Sequence, residues 1–237
     1  MKGLTLCDTM GSMPAKNSSK IYVEGGYYHI YNRGVEKRNI FLDSQDYAVF
    51  IDYLKEYLSP KDEKTLLKLA IDPKTSSKEK ARISRSICLK NFNSEITLQA
   101  YCLMPNHFHL FLKQSSADAI NRLISSFCTR YAMYFNRRHN RVGSLYQGVY
   151  KAVLMTSEAQ YLHITRYIHK QALNPGSEDE QNYPSSYPEY LGLRKTDWVH
   201  PQEILSFFSK TNPSFSYKSF VSEYNPLFEV SAQEFEI

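Results

Sequence analysis

Between Glu95 and Lys113 the chain reads EITLQAYCLMPNHFHLFLK. Two apolar runs, residues 96–103 and 107–113, flank Met104-Pro105-Asn106. Proline and asparagine favour a tight turn, so this spacing predicts an antiparallel hairpin. The pattern also fixes two side chains relative to each other. Neighbouring residues of a strand point to opposite faces, so His107 and His109 share one face and Phe108 takes the other. Two imidazoles on one face, at the start of a strand just after a turn, can share a divalent cation. They can equally be two strand histidines set by their packing, and the hairpin alone leaves both readings open.

The segments around the hairpin suggest one α+β domain. Residues 27–33 read as a first strand, broken by Asn32-Arg33-Gly34. Ser44 is placed to cap a helix whose apolar residues Tyr47, Phe50, Ile51, Leu54 and Leu58 recur at helical spacing, and Pro60 ends it. Residues 61–94 are rich in Lys, Glu and Ser and read as a partly helical, solvated insertion. After the hairpin, Ser116 is a candidate cap for a long helix carrying Ile120, Leu123, Ile124, Phe127, Tyr131, Tyr134 and Phe135. It closes on Arg137-Arg138-His139-Asn140-Arg141. Cations there complement the helix dipole, or bind phosphate together with the following GSLYQGVYK. Residues 146–154 read as a further strand. Ser157 and Gln160 have capping-box spacing at the start of the next helix, closed by Asn174-Pro175-Gly176.

A chain of 237 residues, 42% hydrophobic and 14% aromatic, can bury a substantial core. The first 20 residues are polar and without period, as in a disordered tail. A net charge of +5 is compatible with a nucleic-acid partner but does not require one. The four cysteines lack C-x-x-C spacing, which argues against a zinc ribbon and for reduced thiols in a cytoplasmic protein. No apolar run approaches a membrane span, so no membrane partner is expected.

On the helix after Ser157, the residues Tyr161, Ile164, Thr165, Ile168 and Ala172 form the packing face. His163, Tyr167 and Gln171 stand at successive i, i+4 steps and line a neighbouring face. That stripe is either an amphipathic boundary or part of a site. A tyrosine hydroxyl, with a reference pKa near ~10, is a weak nucleophile at neutral pH. Beside a metal-bound phosphate it becomes competent, because the cation stabilises charge on the non-bridging oxygens.

Several segments, taken in order, resemble one family. They are YHIYNRG (Tyr28 to Gly34), AYCLMPNHFHLFLK (Ala100 to Lys113), GSLYQGVYKAVL (Gly143 to Leu154) and RYIHKQALNP (Arg166 to Pro175). SSYPEYLG (Ser185 to Gly192) and DWVHPQEILSFF (Asp197 to Phe208) follow. Together they resemble the single-tyrosine HUH transposases, the small insertion-sequence transposases and REP-associated tyrosine transposases. The last two segments resemble the REP-associated branch. The chain departs from the compact members in its longer 61–94 insertion, and from many relatives in the Lys170–Pro175 segment.

The resemblance implies a ferredoxin-like (RRM-like) antiparallel sheet with helices packed on one face, the tyrosine helix reaching the sheet edge. The catalytic domain would span 21–176, with the insertion inside it and a C-terminal extension over 177–237. It implies Tyr167 as nucleophile and His107, His109 and Gln171 as ligands of Mg²⁺ or Mn²⁺. Asn32, Arg33, Arg137, Arg138, Arg141 and Lys151 are the expected DNA contacts. The implied activity is cleavage and rejoining of single-stranded, hairpin-flanked DNA through a 5′-phosphotyrosine. The protein would be a bacterial monomer or homodimer, cytoplasmic and nucleoid-associated when DNA-bound. Two alternatives stand beside it: a non-catalytic single-strand-binding module, with Tyr27, Tyr28 and Tyr31 stacking bases, and a metal-dependent nuclease using activated water.

Overall fold

The hairpin forms where the sequence places it. In the computed structural model, which describes residues 20–173 and 183–223, β2 (Ile96–Met104) pairs antiparallel with β3 (His107–Gln114). β1 (Tyr27–Arg33) pairs with β3 on its other side, and β4 (Lys151–Met155) pairs with β1. The result is one antiparallel sheet in the order β2-β3-β1-β4, the α+β class expected. Nearly all of the expected N-terminal tail, the closing Asn174-Pro175-Gly176 and the last part of the C-terminal extension lie outside the described residues.

Helix α1 (Ser44–Leu58) follows β1, and α2 (Glu63–Ile71) and α3 (Ser77–Cys88) occupy the insertion. α4 (Ala119–Arg138) follows the hairpin and α5 (Glu158–Ala172) follows β4. The short α6 (Tyr187–Tyr190), α7 (Gln202–Leu205) and α8 (Tyr217–Ser222) lie in the C-terminal extension. In the insertion, α2 buries no residue and α3 buries only Ile83, as a solvated excursion should.

Strand alternation divides the sheet into two faces. Tyr28, Ile30, Leu98, Leu103, Phe108, Leu110 and Leu112 point to one side and pack against α1 and α4 in the larger core. Phe50 of α1 meets Phe127 of α4 edge to face, with centroids 4.6 Å apart at 88°. Such a pair adds roughly 0.5–1.5 kcal/mol beyond the area it buries. Tyr27, Ala100, Cys102, Phe111 and Met155 belong to a second core with Ile164, Ile168 and Ala172 of α5 and Tyr190, Ile204, Tyr217 and Val221 of the extension.

This corrects two details of the expected architecture. Helices cover both faces of the sheet rather than one, α1 and α4 over the first and α5 over the second. The reason is the apolar patch of Tyr27, Ala100, Phe111 and Met155, which must be covered. The last strand also begins later than expected, at Lys151 rather than Tyr146. Residues 143–150 instead wrap the end of β1, with Val35 N–H donating to Leu145 O and Gln147 N–H to Arg33 O. Gly148 takes φ +86° within that loop, a conformation that suits glycine.

The helix starts differ in their caps. Asp43, not Ser44, caps α1, its carboxylate accepting from Gln45 N and Asp46 N. Ser116 turns its hydroxyl to Glu95, and Gln114 Oε1 accepts from Ile120 N at the head of α4. Ser157 caps α5 as expected, accepting from Gln160 N, while Gln160 Oε1 accepts from Thr156 N–H.

The extension holds α5 through His169. This imidazole is fully buried, with Nδ1 2.6 Å from Tyr217 Oη and Nε2 2.8 Å from Ser186 Oγ. Burial pushes its pKa down to about 3. An unfolded histidine titrates near ~6.5, so below that pH the unfolded chain binds a proton that the folded chain refuses. The sign is therefore destabilising as pH falls from ~6.5 towards 3, by at most about 1.4 kcal/mol per pH unit. We predict that His169→Gln flattens the fall of unfolding free energy between pH 6 and 4 by about that slope, measured by urea titration. An unchanged slope would contradict a neutral buried His169.

Candidate active site

The site is built on the second face of the sheet. The β1–β3 register sets Arg33 opposite His107 and Tyr31 opposite His109, and the β1–β4 register sets Lys151 opposite Tyr31. Residues opposite each other share a face. Thus His107, His109, Tyr31, Arg33 and Lys151 all lie on one side, as alternation predicted for the two histidines. The turn before His107 is anchored from outside: Ile40 N–H and Phe41 N–H donate to Pro105 O, and Gly34 N–H donates to Asn106 O. Gly34 is required here, because a Cβ would stand 2.2 Å from Arg38 O.

The two histidines sit in different surroundings. His109 is fully buried, whereas His107 is partly open. Their rings are perpendicular, with centroids 4.8 Å apart. His107 Nδ1 lies 2.6 Å from Asn106 Oδ1, and the amide is oriented by Asn106 Nδ2 donating to Lys37 O. Nδ1 of His107 therefore carries the proton and donates, leaving Nε2 with a lone pair. His109 Nδ1 lies 2.9 Å from His29 Nε2, and His109 Nε2 is buried without a hydrogen-bond partner.

Both histidines are held neutral. Burial, then the Arg33 charge, pushes His107 down to about 4. Burial, then His29 and His107, holds His109 well below the ordinary imidazole range. Burial alone takes His29 to about 3. Neutral imidazoles are the form that binds a metal.

Helix α5 lays Tyr167 against this pair. Its ring meets His109 edge-on, centroids 5.3 Å apart at 87°, and His29 at 6.3 Å. Tyr161, one and a half turns earlier, stacks on Tyr27 at 4.3 Å on the packing face, as its spacing predicted. Gln171 stands one turn beyond Tyr167 and is half-buried. Among the described residues no cluster of three or more imidazole, thiol or carboxylate groups is arranged to hold a metal. A cation would rest on His107 and His109, with oxygens from Gln171, substrate or water completing its shell. The unpartnered, buried Nε2 of His109 fits that role, since a bound cation would satisfy a polar atom otherwise left unpaired.

The expected DNA contacts divide. Arg33 and Lys151 flank the histidines on their own face. Asn32 points the other way: it is buried, its Oδ1 accepts from Arg33 N and its Nδ2 donates to Gly148 O. The strand pleat turns it away from the histidine face. Arg137, Arg138 and Arg141 lie on α4 and the loop after it, in the layer across the sheet from the histidines. Arg138 is held by Asp43 at 2.7 Å and by the fully buried Asp46 at 2.6 Å. Arg141 donates to Asn136 Oδ1 and closes the loop after α4. Arg137 is exposed and lines a cleft between α1, α3 and α4. Arg138 and Arg141 thus hold the helix end and the loop after it.

Sequence reasoning missed His29 and Asn106. Each belongs to a motif read from the sequence, but only the strand register shows that His29 reaches His109.

Residues 72–171 match the family described as Transposase IS200 like, a span that contains His107, His109, Tyr167 and Gln171. This part of the chain is thus similar to an IS200-like transposase domain. The chain is also similar to a REP-associated tyrosine transposase solved bound to a REP hairpin, at 13% identity, over 85% of this chain and 96% of that one, with a TM-score of 0.46. A candidate transposase from Deinococcus radiodurans R1 is similar at 15% identity, over 66% of this chain and 98% of that one, with a TM-score of 0.35. Comparison with curated proteins gives no match. No helix among the described residues is long and apolar enough to cross a membrane.

The structural role of Arg138 is testable. Arg138→Ala leaves the Asp46 carboxylate buried with part of its partners gone, which destabilises the fold. Urea denaturation should show a lower midpoint with an unchanged m-value. Wild-type stability in the variant would return Arg138 to the surface cations.

Proposed function

We propose that the protein is a single-strand DNA transposase that cleaves and rejoins hairpin-flanked DNA through a covalent bond to Tyr167. The observation that carries this reading is the placement of the Tyr167 ring against His109, within the span that matches the family described as Transposase IS200 like. Arg33 and Lys151, on the same face, supply charge for the strand's phosphates. The partly open end at His107 admits an unpaired strand.

The chemistry follows from these groups. Tyr167 Oη attacks the scissile phosphorus as the phenolic proton leaves. The P–O3′ bond opposite breaks, and the departing 3′ oxygen takes up a proton. The strand is then joined to the protein as a 5′-phosphotyrosine. A 3′-hydroxyl from another strand attacks the same phosphorus, restoring a phosphodiester and the phenol. No nucleotide cofactor is consumed, because each bond broken is replaced by one of like energy. His107 and His109, with Gln171, would hold Mg²⁺ or Mn²⁺, which when bound stabilises negative charge on the phosphoryl oxygens. The histidines' own part is to present neutral nitrogens from a rigid sheet, and that of Tyr167 is to hold its oxygen beside them.

The test uses an oligonucleotide hairpin with a single-stranded flank, in Mn²⁺ or Mg²⁺. Wild-type protein should cut the flank and leave the fully paired form uncut. His107→Ala and His109→Ala should each lower cleavage at least 100-fold while hairpin affinity stays within a few-fold, since phosphate and base contacts supply most of it. Arg33→Ala and Lys151→Ala should weaken binding and reduce its salt dependence. Binding without cleavage under any metal would make the protein a single-strand-binding module. Equal cleavage of duplex and hairpin, or full activity of the double histidine variant in EDTA, would refute the proposal.

A further inference from the structure

We propose that His29 is the positioning residue that turns His109 into a ligand: it accepts the proton on His109 Nδ1 and so directs the Nε2 lone pair into the site. The inference rests on the metal role proposed for His107 and His109, and names the group that makes His109 fit for it.

The geometry is specific. His29 faces Phe111 across the β1–β3 ladder and so stands diagonal to His109, within reach of a long side chain. Its Nε2 lies 2.9 Å from His109 Nδ1, and both residues are wholly buried. The two rings are stacked, 18° apart in plane with centroids at 5.1 Å. Tyr31 flanks both, 4.9 Å from His29 and 6.0 Å from His109. His109 is therefore boxed in by rings, and its ring's hydrogen bond is to His29.

One proton is shared between the two neutral nitrogens, and its position has consequences at the other end of the ring. If His29 donates, His109 carries its own proton on Nε2. That N–H would be a buried donor with no acceptor, and it would face away a cation. If His109 donates, neutral His29 carries its own proton on Nδ1, His109 Nε2 carries a lone pair, and a divalent cation satisfies that lone pair. Only the second arrangement leaves every polar atom of His109 used once the site is filled. It parallels His107, whose Nδ1 donates to Asn106 Oδ1. The two ligands are thus set the same way by two different partners, one a turn amide and the other a second imidazole. Groups that orient a ligand imidazole in this fashion commonly account for 10–100-fold in metal affinity.

The same residue also touches the nucleophile's ring, His29 lying edge-on to Tyr167 at 6.3 Å. A change at His29 is therefore read out best by a measurement that does not depend on cleavage. The first is the tautomer of His109 in the full-length, metal-free wild type, by ¹⁵N-detected imidazole NMR. The expected result is the Nδ1–H form, and a predominant Nε2–H form would overturn the inference. The second is Mn²⁺ affinity by electron paramagnetic resonance of free Mn²⁺. His29→Phe keeps the stacked ring but cannot accept a proton, and should weaken binding at least tenfold. His29→Gln places an amide oxygen near the lost Nε2 and should recover most of it. Equal Mn²⁺ affinity of wild type and His29→Phe would overturn the inference alone. A wild type that binds no Mn²⁺ would overturn the metal reading of the histidine pair and the purpose assigned here to His29. Should His29→Phe fail to fold, the wild-type tautomer and the Gln variant still decide the matter.

Discussion

The docking of α5 across the histidine face of the sheet is the constraint on which the rest depends. It buries Ile164, Ile168 and Ala172 against Tyr27, Ala100, Phe111 and Met155, and so fixes the rotation of the helix. That rotation is what brings Tyr167 against His109 and leaves Tyr161 stacked on Tyr27. The helix is gripped from its far side as well, through His169 and its partners Tyr217 and Ser186. A slip by one residue would turn Tyr167 about 100° away from the histidines. The C-terminal extension thus takes part in the geometry of the candidate site.

The charges are sorted by layer. On the histidine face, the imidazoles are kept neutral by burial, and the cations Arg33 and Lys151 stand around them. On the other face, the arginine at the end of α4 is consumed by Asp43 and the buried Asp46, which also accepts from Leu42 N and lies against His139. A buried carboxylate with that many donors fixes the helix end to the loop after β1. The same loop donates to Pro105 O and so steadies the turn that carries His107. Structural electrostatics in one layer therefore reaches the chemistry in the other.

Much of this was legible in the sequence, for physical reasons. The period of two in the hairpin placed His107 and His109 together, and helical spacing separated the Tyr167 stripe from the Tyr161 face. The long apolar stripe of α4 was readable because it is continuous. What the sequence hid was mostly pairing. The alternation in β1 puts His29 and Asn32 on opposite faces, but without the register to β3 nothing says which of them meets the site. A dense run of arginines looks the same whether it meets phosphates or buried carboxylates, and Asp46 lies about 90 residues away from Arg138. The second helical layer was missed because the patch it covers is assembled from all four strands.

The most direct test of the central claim is to trap the protein on DNA. Hairpin DNA labelled on the strand downstream of the cut is incubated with protein and divalent metal, resolved under denaturing conditions, and the labelled adduct is mapped by peptide analysis. The account predicts a covalent adduct on Tyr167 that disappears in Tyr167→Phe, a variant that retains the ring and its contact with His109. Cleavage at a normal rate with no adduct would place the protein among nucleases that use activated water. An adduct on Tyr161 would show that α5 presents a different face to the histidines than the one described.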